Sequence, residues 1–87
     1  MKHATDKALD QLEPLLQRLR ALGGLTEKKR GVFYRRSSSF LHFHEDPSGL
    51  YADLKRRDAT IERLKVDTAE GQQALLDRAS EELGSSC

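Results

Sequence analysis

The sequence predicts an α+β domain: an N-terminal helix, a three- to four-stranded antiparallel β-meander and a C-terminal helix, with both helices on one sheet face. Three observations carry this. Leucines recur at three- and four-residue steps near both ends of the chain, the period falls to two between residues 32 and 55, and glycine, proline and serine turns separate the strands.

The first helix is expected over residues 5–22, where Leu9, Leu12, Leu15, Leu16, Leu19 and Leu22 form one stripe. Thr5 or Asp6 can cap it, and Gly23-Gly24 ends it. Pro14 lacks a donor and crowds the preceding turn, so the helix either kinks there or begins near Glu13. Residues 25–30 read as a polar, basic connector.

Strands follow at 32–36 and 40–45, joined by a turn at Ser37-Ser38-Ser39. Asp46-Pro47-Ser48-Gly49 turns the chain into a third strand over 50–55. A fourth strand is read at 60–66, although Ile61 is out of phase with Leu64 and Val66 unless a bulge intervenes. Asp67 or Thr68 then caps a helix whose stripe is Leu75, Leu76, Ala79 and Leu83, stopped by Gly84. Residues 1–84 make one domain, with 85–87 a disordered tail.

The chain has 87 residues, so its core is thin; a chain of this size buries only about 60–65% of its unfolded surface. Its formal net charge of +1 gives no global pull toward nucleic acid or a membrane. Cys87 is the only cysteine, and no disulfide framework, signal peptide or membrane-spanning apolar run is read, which argues for the cytoplasm. No cofactor is implied.

The Asp46–Gly49 turn fixes a register in which Glu45 faces Leu50, His44 faces Tyr51, Phe43 faces Ala52, His42 faces Asp53 and Leu41 faces Leu54. Leu41, Phe43, Ala52 and Leu54 then share the core face, with Phe33 opposite Phe43. The other face collects Tyr34, His42, His44, Tyr51 and Asp53, and Phe40 is assigned to it too. Aromatics, imidazoles and a carboxylate together have the composition of a binding or subunit surface.

Three uses compete with the plain alternative of a half-exposed sheet in a monomer. His42, His44 and Asp53 are candidate ligands for a divalent metal. A His42–Asp53 pair is a candidate for acid–base chemistry, although no nucleophile is placed beside it. The reading adopted is a homodimer in which two such faces stack, acting as a binding or structural module rather than an enzyme. Separately, Arg35, Arg36, Lys55, Arg56 and Arg57 fall at one end of the sheet and are candidates to hold phosphate or a nucleic-acid backbone.

The run from Gly31 through Phe40-Leu-His-Phe-His-Glu-Asp-Pro-Ser-Gly-Leu-Tyr-Ala-Asp-Leu-Lys55 resembles a family of short bacterial proteins of unknown function. More distantly it is similar to the so-called luciferase domain, whose name does not establish light-emitting chemistry. The resemblance implies the same α+β arrangement, with His42, His44, Asp53 and Lys55 at the matching positions of its His-x-His and Asp strands. It implies no reaction.

Overall fold

A computed structural model describes residues 2–84; the expected tail at 85–87, with Cys87, lies outside the described residues. Among the described residues the architecture is the predicted α+β arrangement, with three helices and six antiparallel strands. The order is β1 (Lys2–His3), α1 (Asp6–Gln11), α2 (Glu13–Ala21), β2 (Thr26–Lys29), β3 (Val32–Arg35), β4 (Ser38–Asp46), β5 (Gly49–Lys55), β6 (Ile61–Lys65) and α3 (Ala69–Gly84).

The sheet runs β2-β3-β4-β5-β6, with β1 added beside the far half of β4. One edge of β4 is therefore shared: β3 pairs with Ser38, Ser39 and Leu41, and β1 pairs with His44 and Glu45. The expected helix at 5–22 divides at Leu12 into α1 and α2, so Pro14 sits in the first turn of a helix, where its missing N–H is harmless. Thr5 Oγ1 caps α1 by accepting from the Ala8 amide at 3.3 Å.

The β4–β5 register is the one expected, pair for pair from Leu41↔Leu54 to Glu45↔Leu50. Five local expectations are corrected. Residues 25–30 contain strand β2, whose Thr-Glu-Lys-Lys sequence carries no apolar alternation because it is a solvated edge. Ser38 and Ser39 belong to β4 rather than to a turn. Phe33 pairs with Leu41, not Phe43, because the register shifts between Phe33 and Tyr34. That shift turns Phe40 into the core beside Leu41, and it is buried rather than on the open face. In β6 the ladder is continuous from Lys55↔Ile61 to Tyr51↔Lys65; no bulge rescues Ile61, which faces solvent at 56% exposure.

The core packs Leu9, Leu12, Leu16 and Leu19 with Leu75 and Ala79 over Phe33, Leu41, Phe43 and Leu54. Both helical segments thus cover one sheet face, as the apolar stripes require. Thr68 Oγ1 accepts from the Gly71 amide to start α3. Gly71 is needed there, because a Cβ would overlap the Lys65 carbonyl oxygen.

Charged groups fasten the helices to the sheet edge. Arg20 on α2 holds Glu27 on β2 at 2.5 Å and Glu13 at 2.8 Å, while Arg30 reaches Glu13 at 2.9 Å and Asp10 at 2.8 Å. The Arg30 and Arg20 hydrogen bonds hold the Glu13 carboxyl at about 2, against an ordinary 4.5. A depressed carboxylate stabilises the fold above pH 4.5 and loses that contribution as pH falls toward 2. In Arg30→Ala, carboxyl NMR titration is expected to move the Glu13 midpoint up toward 4.5; an unmoved midpoint refutes the network. Replacing buried Phe43 with Ala is expected to cost about 3–5 kcal/mol in urea melts. A wild-type midpoint would contradict the core assignment.

Candidate functional site

Side chains on β4 alternate, so Leu41 and Phe43 enter the core while His42 and His44 project to the face that no helix covers. β1 pairs His3 directly with His44, which sets a third imidazole on that same face. The chain contains three histidines, and all three meet here. Ring centroids lie 4.7 Å apart for His42 and His44, 5.0 Å for His3 and His44, and 5.9 Å for His3 and His42. One nitrogen from each ring lies within 4.8 Å of the other two.

Asp53 on β5 is buried beneath them, with its side chain 8% exposed. It is not free. Arg63 on β6, its cross-strand partner, donates from Nε to Oδ1 at 2.7 Å and from Nη2 to Oδ2 at 2.9 Å. This paired guanidinium is the main reason the Asp53 carboxyl lies below the ordinary carboxylate range, with the imidazoles adding a smaller pull.

The strand register sets Asp53 opposite His42, but its nearest imidazole contact is with His44, whose Nε2 lies 3.1 Å from Oδ2. That approach lacks the alignment of a hydrogen bond. Nδ1 of His42 and both ring nitrogens of His44 are consequently buried with no hydrogen-bond partner among the described residues. Each such group costs about 1–3 kcal/mol when left unsatisfied. Burial first, and then the neighbouring His44, push the His42 imidazole below its ordinary 6.5, so its neutral, electron-donating form prevails at neutral pH.

The other sequence candidates are dispersed around this triad. Tyr51 shares a 2.8 Å hydrogen bond with Ser48 Oγ, turning its hydroxyl toward the β4–β5 turn. Tyr34 lies under the Lys28 ammonium, 5.6 Å from the ring centre. It also lines a cavity of about 270 Å³ with Ser39, His3 and His42.

Lys55 and the four arginines collect at the opposite end of the sheet from the β4–β5 turn, as the antiparallel register requires. There Glu82 on α3 engages Arg56 at 2.6 Å and Arg57 at 3.3 Å.

Sequence reasoning missed His3, Arg63 and Glu82. A two-residue strand has no periodicity to detect, so the only signal for His3 was the scarcity of histidine itself. No family model, curated protein or solved structure matches the chain. No helix among the described residues is long and apolar enough to cross a membrane.

Arg63→Ala strands the Asp53 carboxylate in a buried position. The expected loss of stability is smaller than for a fully buried pair, because Arg63 is half exposed and screened. The Asp53 titration midpoint should rise in the same variant. Since the native shift is downward, the pair stabilises above the ordinary 3.8 and that gain disappears as pH falls. An unchanged midpoint would show that the guanidinium is not what holds Asp53 ionised.

Proposed function

We propose that this protein binds a divalent transition metal through the imidazoles of His3, His42 and His44. The observation that carries the reading is the convergence of all three histidines, with three buried ring nitrogens lacking hydrogen-bond partners among the described residues. Neutral imidazole is a good ligand for zinc, copper, nickel and iron. Bonds of about 2.0–2.1 Å set tetrahedral ligands roughly 3.3 Å apart. From a spread within 4.8 Å, the rings would close by rotation about their side-chain bonds.

In this reading Asp53 is a support rather than a ligand. Its carboxylate is already fixed by Arg63 and lies 3.1 Å from His44 Nε2, within reach to orient that imidazole once the ring turns to meet a metal. Three protein ligands would leave a fourth position for water or a small molecule, and His3 and His42 also line the cavity shared with Tyr34 and Ser39. The likeness of the His42-Phe43-His44 strand to the family of short bacterial proteins belongs to the same proposal.

A homodimer through this face is the second reading, supported by half-exposed Ile61, which β6 carries on the same side as Arg63. It ranks lower because Asp53, Arg63 and Lys65 make the face strongly polar, whereas subunit cores are depleted in charge. The single cysteine favours a cytoplasmic setting.

Titration of chelator-treated protein with Zn(II) or Co(II), followed by calorimetry and by Co(II) absorption, is expected to give one site per chain. His3→Ala, His42→Ala and His44→Ala should each weaken it by about 100-fold or more while leaving the circular dichroism unchanged. Equal affinity in the His3→Ala variant, or no wild-type binding, would end the reading. Light scattering on the metal-free protein separates the dimer: a monomer removes it.

A further inference from the structure

The end of the sheet remote from the triad holds a second cluster that metal binding does not use. β3 and β5 both run antiparallel to β4, one on each side, so their C-terminal ends lie together. Arg35 ends β3, Arg36 follows it in the turn, Lys55 ends β5, and Arg56 and Arg57 open the connection to β6. With Glu82 they surround an open cleft of about 460 Å³, whose floor is completed by residues 37–39, all serine.

Charge in this cleft is unbalanced. Five cations face one carboxylate, and Glu62 behind it takes one further contact from Arg56. Among the described residues Arg36 and Lys55 make no ion pair. The remaining cations are held in place rather than loose. Arg56 Nε donates to Glu82 at 2.6 Å, Arg57 Nε lies 3.3 Å from the same carboxylate, and Arg35 Nη1 donates to the Glu82 carbonyl oxygen at 3.1 Å. Glu82 is itself buried, so it acts as an internal anchor for the guanidinium groups. Pre-ordered donors lose less entropy when an anion arrives.

We infer that this cleft binds a small diphosphate- or triphosphate-bearing ligand. A monocarboxylate would leave most of the positive charge unmatched, whereas a pyrophosphate unit brings about three to four negative charges and oxygens that arginine forks engage in pairs. The volume is in the range of small-molecule sites and exceeds the need of a lone phosphate. The serine hydroxyls of residues 37–39 line the same cleft and are neutral donors beside the cations.

The test is calorimetry of metal-free protein with inorganic pyrophosphate across a salt series, alongside anisotropy of a labelled short single-stranded RNA. Pyrophosphate is expected to saturate one site, to weaken as salt rises, and to displace any bound RNA. Arg36→Gln/Lys55→Gln, which leaves the Glu82 anchor intact, should lose about tenfold or more in affinity with an unchanged thermal melt. His3→Ala should bind as wild type, which separates this cleft from the metal site. Absence of pyrophosphate binding, equal binding by the double variant, or RNA that pyrophosphate cannot displace would each overturn the inference.

Discussion

The rest of the structure depends on the alternation of β4. Its nine residues run through the middle of the sheet, and every major feature of the protein is attached to one of its two faces or two edges. Leu41 and Phe43 anchor the helices on one face. His42 and His44, interleaved with them, are forced onto the other. A one-residue slip would exchange the two sets and bury imidazoles among leucines, so the hydrophobic core and the candidate site constrain each other. The bulge between β3 and β4 is the one place where this alternation breaks, and there the extra residue, Phe40, adds to the core.

The electrostatics follow a similar division. At one edge of the sheet the carboxylates of Glu13 and Glu27 are each drawn onto arginines, tying α2 to β2 and β3. Toward the opposite edge a bidentate pair, Arg63 on β6 with Asp53 on β5, neutralises the carboxylate beneath the imidazoles. At the far end the proportion reverses, and Glu82 organises more guanidinium groups than it can neutralise. A chain with a formal net charge of +1 therefore carries strongly different local fields.

Much of this was legible in the sequence, and the reasons are specific. The β4–β5 hairpin could be written down residue by residue because Pro47 and Gly49 define the turn and the alternation on both sides is strict. The leucine stripes identified both helical regions, and Pro14 marked the break near Leu12. What could not be read were features set by partners distant in the chain. β2 is charged throughout, β1 is two residues long, and neither has a pattern of its own. The sheet creates both strands by offering them an open edge. The same holds for the candidate site: His42, His44 and Asp53 were found because one hairpin joins them, while His3 and Arg63 arrive from other strands.

The shortness of β1 has a consequence for how the protein is made. Thr5 and Glu45, 40 positions apart, are joined by a 2.6 Å hydrogen bond that helps seat the first strand. His3 therefore leaves the ribosome before any of the structure that holds it exists. The β4–β5 hairpin can close locally as soon as it emerges, but the third imidazole must wait for a long chain closure. In order of synthesis the triad begins with the member whose position depends on a closure of some forty residues.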